Sequence, residues 1–445
     1  MYRRNNKSSR PFSIKMSKLL KVNFSFIYIF LLLFFIINIF AFADKEFEIG
    51  DISTNPLFGD FDDDGHLELI IGAKKTDGLG VEKDIVLLEG DMEIAESETW
   101  QLKTESLYPP MVSIGYLKSE KLFFWTLYKD NDTRILQCHD ILGTLKWEKD
   151  FKSTALPEPV VWENKKKVLI GATTGKFYIF DSIGNIDWEN DFKTPISVRA
   201  EIGDIDLDGK EDIIIKTDEG TIYAYNEDYE IKKGFPVKMS TTSNNGSLYN
   251  ITLDDINGDK YKEIIAATGF KSGKQTICVI NYKGKIIREF TIKDKARARA
   301  ETYDFDRDGT KEIILVTESG KLIVENLEKG KKIKGFPINC GKTITGKPYI
   351  LDTDGDRNVK IIVSVGENEK RNTLKIYDKE GKEDSSFSKS WNIGKNLKID
   401  YFYFADIDND GKYEFIYFDD GLLKMSPTEF PRKIIVEKLG RTIIY

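Results

Sequence analysis

Residues 201–236 read EIGDIDLDGKEDIIIKTDEGTIYAYNEDYEIKKGFP, and they contain the pattern that decides the fold. A short apolar segment leads into an aspartate-rich turn, and a run of β-branched residues follows. A glycine-containing turn, another apolar segment and a Gly-Phe-Pro end complete the unit. Residues 302–337, TYDFDRDGTKEIILVTESGKLIVENLEKGKKIKGFP, repeat this order. Short segments rich in Ile, Val, Tyr and Phe between turn residues predict β-strands, so the chain is predicted to repeat one β-strand unit.

The unit recurs along the chain with a period of about fifty residues. Gly234 and Gly335 lie 101 residues apart, which is two units. The aromatic residues that close the units are Trp100, Trp147, Trp188, Phe235, Phe290, Phe336 and Trp391. Four short strands in such a period are typical of propeller blades. The sequence therefore predicts an all-β chain and a β-propeller of four-stranded blades, with eight blades favoured over seven and a linear β-solenoid as a third reading.

The eight units begin near residues 57, 111, 158, 200, 250, 300, 348 and 400. A strand around Phe47 precedes the first unit and has no partner upstream. An open array would leave two unpaired sheet edges. The Phe47 strand could pair with the last unit and thereby close the ring.

Five units carry an acidic loop with a nine-residue spacing. Asp or Asn occupies positions one, three and five, Asp or Glu occupies position nine, and position six is usually Gly. The backbone carbonyl of position seven is a further candidate ligand. The candidate ligands are Asp60, Asp62, Asp64, His66 and Glu68 in loop 1; Asp204, Asp206, Asp208, Lys210 and Asp212 in loop 2; Asp255, Asn257, Asp259, Tyr261 and Glu263 in loop 3; Asp304, Asp306, Asp308, Thr310 and Glu312 in loop 4; and Asp406, Asp408, Asp410, Lys412 and Glu414 in loop 5.

This spacing suits Ca²⁺, which binds six to eight oxygens at about 2.3–2.6 Å. EF-hand loops would require Glu at position twelve, where the five loops have Ile71, Ile215, Ala266, Leu315 and Tyr417. Polar hairpin turns without a cation are the alternative. Two carboxylates about 4 Å apart repel by roughly 4 kcal/mol at an effective dielectric constant of 20, so a compact loop with four of them needs a cation. The sequence predicts about five bound calcium ions.

A sixth acidic loop, at residues 352–360, departs from the pattern. Asp352, Asp354 and Asp356 occupy positions one, three and five, but Arg357 stands at position six and Lys360 at position nine. The sequence predicts that this loop binds no calcium and that the Lys360 ammonium lies among the three aspartates. The alternative is that Lys360 points to solvent, because lysine is flexible and hydrates well.

These loops resemble those of the FG-GAP (VCBS-type) repeat family, which is found in the head of integrin α-subunits and in bacterial surface and secreted proteins. The resemblance covers nearly all of residues 47–445. Unit one also carries Phe58-Gly59 and residues 70–73, Ile-Ile-Gly-Ala, which are similar to the family's signature. Units two and three lack the acidic loop around Gly115 and Asn164. The resemblance implies a calcium-bearing propeller in which the metal is structural.

The N-terminal residues 1–43 differ from the rest in charge and hydropathy. They contain seven basic and no acidic residues, and the apolar run of residues 22–42 ends in Ala41-Phe42-Ala43. This pattern predicts a signal peptide before a propeller domain of residues 44–445, with an uncleaved signal anchor as the alternative. Met16 is a second candidate start. The protein is therefore predicted to be secreted or to lie in the cell envelope or at the cell surface, without other membrane contact.

The net charge limits the possible partners, and the cysteine content limits the possible disulfides. The net charge is −7, and removal of the seven basic residues makes the mature part −14, which argues against a nucleic-acid partner. Three cysteines, Cys138, Cys278 and Cys340, are far apart in sequence, so at least one thiol is free or pairs outside the chain. We expect buried free cysteines.

The resemblance implies a non-enzymatic adhesion or interaction module with an unknown protein or glycan ligand. Polar loops at residues 244–250, 74–83 and 367–372 are candidates for contact, and solvated connections are the alternative. A polysaccharide-active, lyase-like enzyme on a calcium-bearing propeller is the second hypothesis. No catalytic constellation supports it: His66 lies within loop 1, and His139 is expected to be an ordinary exposed residue.

Overall fold

The computed structural model of the chain divides into two compact units, Met1–Lys45 and Glu46–Tyr445. The structure describes residues 45–48, 51–52, 57–61, 63, 65, 67–76, 81–88, 114–239, 251–327, 333–353, 358–368, 371–385, 389–392, 402–407, 409, 411–419 and 422–431. The predicted signal segment lies outside these ranges, so its cleavage stays a prediction. Within them, no helix combines the length and apolar character needed to cross a membrane.

The described residues form eight antiparallel sheets, numbered here in chain order. Sheet 1 consists of Asp51–Ile52, Leu57–Gly59, Glu68–Thr76 and Val81–Leu88. Sheet 2 consists of Ile114–Leu117, Leu122–Tyr128, Thr133–Asp140 and Leu145–Lys152. Sheet 3 consists of Val160–Trp162, Lys167–Gly171, Lys176–Asp181 and Ile186–Asp191. Sheet 4 consists of Glu201–Gly203, Asp212–Lys216, Thr221–Tyr225 and Val237–Lys238.

The second half of the chain continues the series. Sheet 5 consists of Thr252–Asp254, Glu263–Ala267, Gln275–Ile280 and Ile286–Ile292. Sheet 6 consists of Glu301–Tyr303, Glu312–Val316, Lys321–Glu325 and Ile338–Asn339. Sheet 7 consists of Thr343–Ile344, Tyr349–Leu351, Lys360–Asn368, Arg371–Tyr377, Glu383–Asp384 and Ser390–Asn392. Sheet 8 consists of Phe402–Ala405, Lys412–Asp419, Leu422–Pro431 and the early strand Lys45–Glu48.

The second strand of each unit is apolar on both faces because each sheet is covered by a neighbour on either side. In Asp212–Lys216, Ile213 and Ile215 pack against residues of sheet 3, whereas Ile214 packs against residues of sheet 5. In the described part of the chain, seven such clusters each join one sheet to the next. Side chains on successive strand positions point to opposite faces, so a strand between two sheets needs an unbroken apolar run.

The first strand and the last sheet are joined directly. Lys45–Glu48 is hydrogen-bonded to Leu422–Pro431 at the edge of sheet 8. The rings of Phe58 in sheet 1 and Tyr403 in sheet 8 lie 5.6 Å apart between centroids. The prediction that the Phe47 strand pairs with the last unit is confirmed.

Sheets 2 and 3 differ from the others in the turn between their first two strands. Short 3₁₀ turns, Lys118–Glu120 and Glu163–Lys165, occupy this place. The Glu163 carboxylate accepts hydrogen bonds from the backbone amides of Lys118 at 3.0 Å and Ser119 at 2.7 Å, which joins the two turns. The predicted absence of acidic loops from units two and three is confirmed.

Candidate cation-binding loops

The five acidic loops occupy equivalent places, between the first and second strands of units one, four, five, six and eight. Position nine begins the second strand in loops 1 to 4 and lies two residues inside it in loop 5. Loops 2, 3 and 4 are described in full. Five of the predicted site residues lie outside the described residues: Asp62, Asp64, His66, Asp408 and Asp410.

Positions four and six of every loop have a left-handed backbone. At position four, φ is 68° at Asp63, 60° at Leu207, 78° at Gly258, 62° at Arg307 and 55° at Asn409. At position six, φ is 93° at Gly65, 81° at Gly209, 76° at Lys260, 88° at Gly309 and 88° at Gly411. Loop 3 therefore has its glycine at position four and a lysine at position six, whereas loops 2 and 4 have their glycine at position six. The bend at position six follows from the glycines in the sequence, whereas the bend at position four was not predicted; Asn409 and Gly258 were the available signals for it.

The carboxylate of position nine accepts a hydrogen bond from the backbone amide of position two in all five loops. The pairs are Phe61 with Glu68 at 2.6 Å, Ile205 with Asp212 at 3.3 Å, Ile256 with Glu263 at 3.1 Å, Phe305 with Glu312 at 2.9 Å and Ile407 with Glu414 at 2.7 Å. This bond draws the start of the second strand over the loop. It also fixes one oxygen of each position-nine carboxylate.

The aspartates of positions one and five are oriented by backbone amides of their own loop. In loop 2, Asp204 accepts hydrogen bonds from Leu207 at 2.7 Å and Gly209 at 3.0 Å, and Asp208 accepts one from Lys210 at 2.8 Å. Loops 3 and 4 repeat the bonds of position one with position six and of position five with position seven. These contacts hold each loop in a tight coil with its carboxylates on the inside.

Carboxylate oxygens converge in two of the fully described loops, loops 2 and 4. Ligand atoms of Asp204, Asp206 and Asp208 lie within 4.8 Å of one another, and so do those of Asp304, Asp306 and Glu312. One carboxylate oxygen of Asp206 is buried and lacks a hydrogen-bond partner within the described part of the chain. In loop 4 the converging carboxylates provide the oxygen-only donor set that Ca²⁺ prefers.

The position-nine glutamates are buried beside other acids, and this changes their acidity. Burial raises the pKa of Glu263 to about 7, with a further contribution from the Asp259 and Asp255 carboxylates. Burial likewise raises the pKa of Glu312, helped by Asp306 and Asp304. A nearby cation would favour the charged form of each group and reverse this effect.

The sixth acidic loop is described only in part. Asp352 is buried, whereas Asp354, Asp356 and Arg357 lie outside the described residues. The Lys360 ammonium lies 3.9 Å from a carboxylate oxygen of Asp384, on the outer strand of the same sheet. The position of Lys360 relative to all three aspartates stays a prediction.

The structure corrects the expectation for His139. This residue is 2% exposed rather than on the surface. Its Nδ1 lies 2.9 Å from the Gly143 carbonyl, its Nε2 lies 3.2 Å from the Gln137 side-chain oxygen, and its ring packs on Trp125. Burial lowers the pKa of His139. The alternation of sheet 2 places it inside, and its polar atoms are satisfied there. The three cysteines are buried and free, as expected.

A second surface lies at the turns between the third and fourth strands. In sheets 2 and 3 these turns expose Leu142 at 61%, Leu145 at 45%, Ile183 at 74% and Ile186 at 53%. The two turns touch, because the Trp147 indole donates a hydrogen bond to the Ser182 carbonyl at 2.9 Å.

An aspartate or asparagine shapes these turns by accepting two backbone hydrogen bonds. Asp181 accepts bonds from Ile183 at 3.1 Å and Asn185 at 2.7 Å. Asn281 in sheet 5 and Asp378 in sheet 7 do the same. The positions equivalent to Ile183 are Lys283 and Glu380 in those two sheets.

Solved structures resemble the chain over most of its length. The Dos1 propeller matches it with a TM-score of 0.56 and 11% identity, covering 86% of this chain and 94% of that one. Sqt1 from Saccharomyces cerevisiae matches with a TM-score of 0.55 and 12% identity, covering 87% and 98%. The biofilm matrix protein Bap1 from V. cholerae matches with a TM-score of 0.54 and 11% identity, covering 85% and 88%.

This chain is a β-propeller. Seven of its eight described sheets are antiparallel and four-stranded, as expected from the repeat, and sheet 7 has six strands. The sequence of the propeller matches no protein-family model and no curated protein. At 11–12% identity the likeness to solved propellers shows the fold alone, and membership of the FG-GAP family stays a prediction.

Proposed function

We propose that this propeller is an exported, calcium-stabilised interaction module of the FG-GAP type with eight blades, one for each sheet. The observation that carries the proposal is the common geometry of the five acidic loops: each has two left-handed positions and a position-nine carboxylate bound to the position-two amide. Such loops gather oxygen ligands and exclude other donor atoms, which suits a hard cation. The role of the metal is structural.

Calcium removal tests this proposal. Extracellular calcium modules bind with dissociation constants of about 0.1–1 mM. At about 1 mM calcium and a 0.1 mM constant, each site adds roughly 1.4 kcal/mol to the free energy of unfolding. We expect a chelator to lower the melting temperature, and magnesium at the same concentration to restore it poorly. A melting temperature that changes with neither chelator nor calcium would refute the proposal.

The interaction surface is proposed to be the turns of sheets 2 and 3. Leu142 and Ile183 are exposed side chains without aromatic rings, and aliphatic groups suit a protein partner better than a glycan, which stacks on aromatic rings. The partner is accordingly a protein that presents an apolar segment. The interaction function assigned to this face is independent of calcium, because neither sheet carries an acidic loop.

Site-specific photo-crosslinking identifies the partner. A crosslinker at Ile183 is expected to capture one protein in the cell envelope, and the same group at Lys283, in the equivalent turn of sheet 5, is not. Leu142→Asp should abolish capture from position 183. Equal capture from both positions, or capture that survives Leu142→Asp, would show that the turns of sheets 2 and 3 are not the interaction surface.

Export is tested on the protein itself. The chain recovered from outside the cell is expected to begin at Asp44, which N-terminal sequencing measures. An intact residue 22–42 segment in the membrane fraction would instead favour the anchored form. Either result leaves the propeller outside the cytoplasm, and recovery from the cytoplasm alone would contradict the proposal.

A further inference from the structure

Loop 2 already contains a cation. The Lys232 ammonium lies 2.8 Å from Oδ2 of Asp206 and 2.7 and 2.8 Å from the two carboxylate oxygens of Asp212. The lysine side chain is 10% exposed, and that of Asp212 is 1% exposed. An ammonium has three donors, and these three contacts use them all.

Loop 2 also has the shortest acid at position nine. Asp212 stands where the other four loops have glutamate. In loop 4, Glu312 reaches the group of converging ligand atoms that includes Asp304 and Asp306. In loop 2 the converging group consists of Asp204, Asp206 and Asp208. One fewer methylene leaves room between Asp212 and Asp206, and the Lys232 ammonium lies there.

At the sequence position equivalent to Lys232, unit six has a neutral residue. Lys232 precedes Gly234 by two residues, and Ile333 precedes Gly335 by two. Ile333 packs against the apolar cluster between sheets 6 and 7. The second oxygen of Glu312 accepts a neutral hydrogen bond from Asn326 at 2.9 Å. The position that supplies an ammonium to loop 2 thus supplies an apolar side chain in unit six.

We infer that Lys232 is the resident cation of loop 2, and that this loop takes up no calcium while loops 1, 3, 4 and 5 do. The inference rests on the proposed calcium binding of those four loops. Calcium in loop 2 would share Asp206 and Asp212 with a positive charge about 3 Å from both, which repels it strongly at that range. Displacing the ammonium would leave a nearly buried charge without its partners, which is costlier still.

Matched substitutions at position five test whether loop 2 and loop 4 differ in calcium binding. Asp208 and Asp308 each accept a hydrogen bond at 2.8 Å from the position-seven amide, so Asp208→Ala and Asp308→Ala remove the same contact. Calorimetric titration should give four ions for the wild type, four for Asp208→Ala and three for Asp308→Ala. Five ions in the wild type, or one ion lost on Asp208→Ala, would overturn the inference.

Removing the Lys232 ammonium tests whether this group keeps calcium out of loop 2. Lys232→Met keeps most of the stem and is expected to create a fifth calcium site, with a melting temperature that falls in chelator and recovers in calcium. Lys233→Met, at the exposed neighbouring position, should change neither. A Lys232→Met protein that still binds four ions contradicts the inference. Absence of calcium binding by the wild type and by both lysine variants would instead refute the proposed function, which keeps the two failures distinct.

Discussion

The backbone amide of Leu67 donates a hydrogen bond to the carbonyl of Ile407 at 3.0 Å, which joins loop 1 to loop 5 across the two ends of the repeat. Position eight of one loop thus binds position two of the loop before it. Two further pairs share this geometry: Lys262 with Ile205 at 3.3 Å and Lys311 with Ile256 at 2.8 Å. The residue at position two also donates its backbone amide to the position-nine carboxylate of its own loop. An ordered acidic loop therefore holds position eight of the next loop in place.

Closure of the ring depends on the strand Lys45–Glu48. Removing residues 44–48 is expected to cost about 2–4 kcal/mol of unfolding free energy, since an edge strand of this length makes about four backbone hydrogen bonds worth near 1 kcal/mol each at most. Denaturant unfolding of chains that begin at residue 44 and at residue 49 measures the difference. Identical midpoints would contradict the closing role of this strand.

Two left-handed glycines should respond differently to alanine. A Cβ on Gly309 would meet nothing within 4 Å, whereas a Cβ on Gly258 would lie 2.6 Å from the Gly309 carbonyl oxygen. Gly309→Ala is expected to cost about 1 kcal/mol from backbone strain alone. Gly258→Ala should cost more because the neighbouring loop must also move. Thermal denaturation of both variants checks the order, and equal losses would contradict the close approach of loops 3 and 4.

Arg199 connects sheets 3 and 4 through a buried ion pair. Its Nη1 lies 2.8 Å from Glu158, its Nε lies 3.3 Å from Glu201, and its side chain is 11% exposed. Arg199→Met leaves Glu201 buried without this cation, and we expect a loss of about 3 kcal/mol. Lys176→Met breaks the exposed pair with Glu189 and should cost much less, because solvent screens an exposed ion pair. Similar losses in the two denaturation curves would show that burial is not the cause.

Lys216 should make stability depend on pH. Burial lowers the pKa of Lys216 to about 8, and the Asp218 carboxylate offsets this only in part. Between about pH 8 and the ordinary value of 10.5 the unfolded chain binds more protons, so the free energy of unfolding rises with pH in that window. Lys216→Met is expected to remove the rise and to add roughly 1–3 kcal/mol at pH 7. Denaturation from pH 7 to 10.5 measures both, and Lys238→Met, at an exposed strand position, is the control.

The sixth acidic loop should become a calcium site when its position nine is made acidic. Lys360→Glu removes the ammonium that lies near Asp384 and supplies the carboxylate that loops 1, 3, 4 and 5 have at this place. The calcium stoichiometry is expected to rise by one in calorimetric titration. Glu312→Lys, the reverse change in loop 4, should lower it by one at little cost in stability. A wild-type protein that binds calcium at Asp352 would contradict this prediction.

The repeat, its closure and the place of the acidic loops could be predicted from the sequence because each follows from a local pattern. The run Ile213-Ile214-Ile215 between turn residues leaves few choices other than a strand covered on both faces. The role of Lys232 could not be predicted, because twenty residues separate it from Asp212 and only the packing of two strands brings them together. The burial of His139 was not predicted for a similar reason, since a single histidine in a strand does not indicate which face of the sheet is covered.

The pairing of Lys45–Glu48 with Leu422–Pro431 has a consequence for biosynthesis. The first of the described strands pairs with the last of them, so the pairing cannot form until residues 422–431 have been synthesised. A prematurely terminated chain can therefore complete its middle blades but cannot join its ends, and it exposes an unpaired sheet edge that proteases recognise. We therefore expect a chain that ends before residue 422 to be degraded faster than the longer chain that contains both strands.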